Sequence, residues 1–238
     1  MLDENCQERL ILALDVDQAE DAERIVLQVK EMVGFFKIGM RLFFNYGPEI
    51  VNLVKKLGGE VFLDVKLYDI PSVVEATCRL LVKMGVKMIT LHALGGTEMM
   101  RRATLAIKEE NADIKVVGVT LLTSFNRKSL KEDLGIDESL EEKVLFLARK
   151  AKEAGLDGVV CSGKEAKLLR EFLGKDFLLV VPGIRTERIE GDEQKRILTP
   201  EEAIKEGASY IVIGRPVLRA SDPAQKIREI LGRMSNLI

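Results

Sequence analysis

The chain has no tryptophan, a single histidine and only three cysteines in 238 residues. Cys6, Cys78 and Cys161 are odd in number and widely spaced, with no C-x-x-C motif and no histidine paired with them. That excludes a disulfide framework and a Cys/His zinc site, and the expectation is buried free thiols in a reducing cytoplasm. His92 has no second imidazole to work with, so a structural role at a strand end is expected of it rather than that of a base or metal ligand. Charge of one sign is also missing. Thirty-six Lys and Arg face 38 Asp and Glu, a net charge of −2, which argues against a nucleic-acid footprint while leaving room for a small basic patch suited to a phosphorylated ligand. No long apolar run occurs: "MLDENCQERLILALDVD" is acidic where a signal peptide would be basic and is broken by Asp15, so neither an export signal nor a membrane segment is expected.

What is present is a repeat of short apolar runs. "LILALDV" (10–16), "FFKIGM" (35–40), "EVFLDVKL" (60–67), "MITLH" (88–92), "KVVGVTLL" (115–122), "GVVCS" (158–162), "FLLVVPGI" (177–184) and "YIVIGRP" (210–216) read as eight strands. Between them lie stretches with helical spacing of apolar residues, such as 21–33, 49–58, 73–85, 141–155 and 201–208. Strand then helix, eight times over, predicts an α/β protein built as one (β/α)8 TIM barrel over residues 1–238, with no linker between parts. "TPEE" predicts a helix start with Thr199 as cap, Pro200 in the first turn and Glu202 closing the capping box. Gly58, Gly85, Gly155 and Gly207 stand where helices should end. Two connections, 123–138 and 185–198, read as long loops suited to ligand binding or closure.

Charge placed inside this apolar pattern marks the chemistry. In "FLDVKLYDIP" (62–71), strand alternation puts Phe62, Asp64 and Lys66 on one face and Leu63, Val65 and Leu67 on the other. The apolar face suits the helices outside, so Asp64 and Lys66 point into the barrel near its C-terminal mouth, where barrel enzymes carry their active sites. Asp15 follows Ile11 and Ala13 on the first strand's inward face, and Lys37 lies in the second strand. An inward ion pair that merely fills the barrel is the simpler explanation for Asp64 and Lys66. Buried pairs roughly break even against apolar residues of similar volume, so stability alone does not account for four converging charges plus Asp69. Across the barrel, "VPGIR" (181–185) and "VIGRP" (212–216) end strands seven and eight, the usual phosphate position of this fold. Gly183, Gly214, Arg185 and Arg215 are therefore candidate phosphate contacts, although turn glycines followed by solvated arginines would look the same in sequence.

The segments "LALD" (12–15), "KIG" (37–39), "DVKLYDIP" (64–71), "VTLLTS" (119–124), "VPGIR" (181–185), "DEQKR" (192–196), "TPEEAI" (199–204) and "VIGRP" (212–216) occur in this order. In that order they make the chain resemble the orotidine 5'-monophosphate decarboxylase family in its compact bacterial form. The resemblance implies a cytoplasmic homodimer that turns orotidine 5'-monophosphate into UMP in pyrimidine biosynthesis with no metal and no organic cofactor. It implies that Lys66 protonates C6 of the pyrimidine and that Lys37, Asp64 and Lys66 form a charge network completed by Asp69 of the partner subunit. Asp15 and Lys37 would hold the ribose, Thr123 and Ser124 the pyrimidine or its surroundings, and Gln194, Gly214 and Arg215 the phosphate, with Arg185 beside them. The loop carrying Gln194 would close over the phosphate. Two positions depart from the family pattern: Ser72 and Val73 follow D-I-P where Asn or Gly and then Thr are usual, and Tyr68 stands where bacterial relatives often carry His.

Two other functions fit parts of the pattern. A magnesium-dependent sugar-phosphate decarboxylase or aldolase of the same barrel superfamily shares D-x-K-x-x-D, with Asp15, Asp64 and Asp69 as oxygen ligands. A non-catalytic nucleotide-phosphate-binding barrel would need only the arginine side.

Overall fold

A computed structural model describes residues 4–110, 112–185 and 198–235. Eight parallel strands close into a barrel in chain order: β1 (Leu10–Ala13), β2 (Phe35–Gly39), β3 (Val61–Leu67), β4 (Met88–His92), β5 (Lys115–Val119), β6 (Gly158–Val160), β7 (Leu178–Val181) and β8 (Tyr210–Ile213). Closure is made by β1 against β8, with Leu10 opposite Ile211 and Leu12 opposite Ile213. The predicted (β/α)8 architecture is present.

Strand alternation decides what faces what. Ile11, Ala13, Phe62, Met88, Val117, Val180 and Val212 form an apolar cluster inside the barrel, closed from below by the Phe35 and Tyr210 rings, edge to face at 5.7 Å. Their neighbours Leu10, Leu12, Phe36, Ile38, Leu63 and Ile89 point outward and are buried under the helices. Each large side chain of this kind contributes about 1.5–3 kcal/mol on burial. The charges sit above the inner cluster, at the strands' C-terminal ends.

Local signals in the chain set the helix limits. Thr199 accepts the Glu202 N–H while the Glu202 carboxylate accepts the Thr199 N–H, so the expected capping box is complete. Gly85 ends helix Pro71–Met84 in the left-handed region (φ 66°), a conformation that a side chain would strain. Gly58, Gly155 and Gly207 also have positive φ. All three cysteines are free and buried, and burial pushes the Cys78 thiol up to about 12. Met88, Met99 and Met100 are core residues. No helix among the described residues is long and apolar enough to cross a membrane.

Three expectations change. The segment 123–138 is not all loop: it holds helix Arg127–Leu134, capped by Asn126 through the Ser129 N–H. Leu130 is its one buried residue, so it carries no apolar stripe to read. β1 stops at Ala13, which leaves Asp15 just beyond the strand. β3 is not a regular strand at Lys66. Leu63 pairs with Ile89 but the next registered pair is Leu67 with Leu91, so β3 bulges against β4.

Candidate active site

A cavity of about 260 Å³ opens at the C-terminal mouth of the barrel. Ala13, Phe62, Val180 and Val212 form its apolar floor, which continues the inner core upward. Its polar lining divides into two sides. Asp15, Lys37, Asp64 and Lys66 come from the β1–β3 side, while Gly183, Arg185, Gly214 and Arg215 come from beyond β7 and β8.

The first side is a line of alternating charges. Lys37 Nζ lies 3.3 Å from Asp15 Oδ1 and 3.4 Å from Asp64 Oδ2, and Lys66 Nζ lies 2.8 Å from Asp64 Oδ1. Strand registration brings them together, since Lys37 sits opposite Ala13 on one side and Phe62 on the other. Gly39 leaves the space for this packing, because a Cβ there would stand 3.3 Å from Lys37 Nζ. Burial favours neutral Lys37, but Asp64 and Asp15 outweigh it and hold the ammonium above its ordinary range. Burial likewise favours a protonated Asp64, yet Lys37, Lys66 and hydrogen bonds from Lys66 and Thr90 hold its carboxyl below the usual carboxylate range. Both groups are therefore charged at neutral pH, and the network sets the Lys66 amino group at the cavity wall against a fixed carboxylate.

The arginine side differs from what a solvated pair would show. Arg185 is buried, with Nη1 donating to the Ile184 carbonyl, and Arg215 is half-buried in the cavity wall. Gly183 adopts φ 81°, which turns the chain after β7 toward the cavity at a position where a side chain would be strained. Ile184 bridges Leu198, and the Arg185 N–H donates to the Leu198 carbonyl at 3.0 Å, so the two ends of the 185–198 connection are tied together at the cavity rim. Gln194, on that connection, lies outside the described residues.

Thr123 lines the cavity, but Ser124 is exposed and does not. Asp69 is exposed beyond the end of β3, where its Oδ1 accepts the Ile70 N–H at 2.7 Å, outside its own chain's cavity. Tyr68, Ile70 and Val73 around it are exposed large apolar side chains. His92 ends β4, and its Nδ1 accepts the Leu94 N–H at 3.4 Å, so the expected structural role fits its contacts. One residue that sequence reading passed over is Thr90. It is fully buried on β4 and donates to Asp64 Oδ1 at 3.0 Å. A hydroxyl at an inward position of the otherwise apolar "MIT" segment was the available signal.

Asp15 and Asp64 both face Lys37, and Asp69 stands apart. Among the described residues no three carboxylate, imidazole or thiol groups converge as a metal site.

Comparison with known proteins shows the family. The chain is 44% identical over 235 residues to orotidine 5'-phosphate decarboxylase of Carboxydothermus hydrogenoformans, covering 97% of this chain and 98% of that one. It is 45% identical over 228 residues to the protein of the same name from Trichlorobacter lovleyi, covering 94% of each. The crystal structure of orotidine 5'-phosphate decarboxylase from Lactobacillus acidophilus superposes with a TM-score of 0.83 at 36% identity, over 94% of this chain and 98% of that one. A family model matches residues 8–230, which span all eight strands and both sides of the cavity, and the chain belongs to the orotidine 5'-phosphate decarboxylase / HUMPS family.

Proposed function

We propose that the protein decarboxylates orotidine 5'-monophosphate to UMP, with Lys66 as the proton donor and with no metal or organic cofactor. The observation that carries this reading is the Lys66 ammonium held 2.8 Å from Asp64 at the wall of the mouth cavity. Breaking the bond from C6 to the carboxylate releases CO2 and leaves the electron pair on C6, where the ring offers no carbonyl positioned to absorb it. A preplaced cation stabilises that pair as it forms, at a site whose charges need no reorganisation. One N–H of Lys66 then passes its proton to C6, and the neutral amine regains a proton from water. Asp64, facing the substrate carboxylate, keeps Lys66 charged and oriented until then.

The arginine side suits the phosphate, with Arg215 and the backbone around Gly183 and Gly214 as its contacts and Arg185 behind them. Asp15 and Lys37 suit the ribose hydroxyls, and Thr123 the neighbourhood of the pyrimidine. Binding energy gathered at the phosphate, remote from the reacting bond, can then be used for orientation at C6. Asp69 belongs in this reading to the cavity of a second copy, and the exposed Tyr68, Ile70 and Val73 beside it supply an apolar contact for that copy. Free buried cysteines fit a protein working in the reducing cytoplasm.

The test is conversion of orotidine 5'-monophosphate followed by absorbance, with and without chelator. Undiminished turnover in chelator is expected; turnover that collapses with chelator and returns with Mg²⁺ would overturn the metal-free mechanism. Lys66→Ala should lose UMP formation by several orders of magnitude while still binding UMP, and equal activity in that variant would remove Lys66 from its role.

A further inference from the structure

Lys66 has a backbone conformation that demands an explanation. Its φ is 50°, and among the described residues it is the only non-glycine with positive φ. For a lysine that conformation costs on the order of 1–3 kcal/mol and persists only where the surroundings enforce it. Its origin is the bulge in β3. Between the pairs Leu63–Ile89 and Leu67–Leu91, more of β3 passes β4 than the ladder can hold, and an amide in the bulge loses its carbonyl partner.

Thr90 occupies that gap. It lies on β4 between the two registered positions, fully buried, on the inward face with Met88. Its Oγ1 accepts the Lys66 backbone N–H at 2.9 Å and donates to Asp64 Oδ1 at 3.0 Å. That same carboxylate oxygen receives the Lys66 ammonium at 2.8 Å. One hydroxyl therefore engages the backbone of the lysine and the side chain of its carboxylate partner. A hydroxyl has one hydrogen to give and lone pairs to receive, and here both directions are committed within one small ring of contacts. A residue that only filled space at this point would do so equally well as valine, which has almost the same shape.

We propose that Thr90 is a positioning residue for decarboxylation: its hydroxyl satisfies the bulged Lys66 amide and fixes the Asp64 carboxylate, and so sets where the Lys66 ammonium stands over the cavity. The inference rests on the reading above that Lys66 and Asp64 act on the substrate. Thr90 itself does not line the cavity, so its effect passes through those two groups.

The test compares Thr90→Val with Thr90→Ser in the full-length enzyme. Misplacing a reacting group by a fraction of an ångström to 1 Å costs up to about 100-fold in rate, so Thr90→Val should lose about 10- to 100-fold in kcat. KM and UMP affinity should stay within about threefold, because the arginine side is untouched. Thr90→Ser should recover kcat to within about threefold of wild type. The acid limb of the kcat profile should also move to higher pH in Thr90→Val, since Asp64 loses a hydrogen bond that favours its charged form. Wild-type kcat in Thr90→Val, or Thr90→Ser as slow as Thr90→Val, would overturn the proposal. Should Thr90→Val not fold, Thr90→Ala takes its place, and failure of both to fold beside an intact Thr90→Ser would assign the hydroxyl to folding and overturn it as well. Wild type is run alongside: no UMP from wild type refutes the functional reading, whereas active wild type with an unimpaired Thr90→Val refutes this inference alone.

Discussion

His92 Nδ1 accepts the Leu94 N–H, so the proton of the neutral ring sits on Nε2. Protonating Nδ1 would break that bond, and two further effects oppose it: burial first, then the charge of Lys66. The folded-state pKa is thus below the unfolded value of about 6.5. As pH falls through and below that value the unfolded chain takes up the proton first, so stability is lost on the acid side. The expected outcome is that the stability advantage of wild type over His92→Asn, measured by urea unfolding, shrinks between pH 7.5 and 5.5; an advantage constant across that range would contradict it. At this scale the sequence was informative where alternation decides direction and silent where a second strand does. Asp64 and Lys66 could be placed inside the barrel because Leu63 and Leu67 had to face the helices. The left-handed turn at Lys66 could not be read, since it depends on a hydroxyl 24 residues away. The burial of Arg185 was equally hidden: an arginine after a glycine turn carries no mark in the sequence of whether it ends buried or in solvent.

At the scale of elements, the strands were legible because each is a short apolar run bounded by charge or glycine, and the capped helices because their caps are local. Helix Arg127–Leu134 was not, although its cap is also local. Asn126 accepts the Ser129 N–H and Ser129 Oγ accepts the Asn126 N–H, but "RKSLKEDL" offers only Leu130 to the core. With so little packing, the helix depends on its ends more than most. Asn126→Ala should therefore cost about 1 kcal/mol, felt locally as amide exchange roughly fivefold faster across 127–134. Hydrogen exchange resolved by segment measures this. Uniform acceleration across the barrel, in place of a local effect, would mean that the helix unfolds only with the whole protein. The helix follows the segment carrying Thr123, so a local loss should raise KM for the nucleotide more than it lowers kcat.

At the scale of the whole molecule, the cavity of one chain holds Asp15, Lys37, Asp64 and Lys66 but not Asp69. Asp69 stands on the outer rim among Tyr68, Ile70 and Val73, and among the described residues its carboxylate is committed to nothing stronger than the Ile70 amide. Exposed apolar residues gathered around a carboxylate at the mouth of a barrel make sense if that rim docks on another molecule and delivers the carboxylate there. With a twofold axis the docking is reciprocal, and each chain would lend its Asp69 to the other's cavity. The consequence is specific. Lys66→Ala chains lack the proton donor but carry an intact Asp69, and Asp69→Ala chains lack only the lent carboxylate. Each homodimer should be nearly inactive. When the two are mixed, unfolded and refolded together, half of the dimers should be mixed by random pairing. In every mixed dimer one cavity has its own Lys66 and a partner's Asp69, while the other has neither. One working site in four follows for the whole population, so activity should return to about a quarter of wild type at equal total protein. Recovery of that size is not available if Asp69 serves its own chain, because then neither subunit of a mixed dimer holds both groups, and the mixture would stay as inactive as its parents.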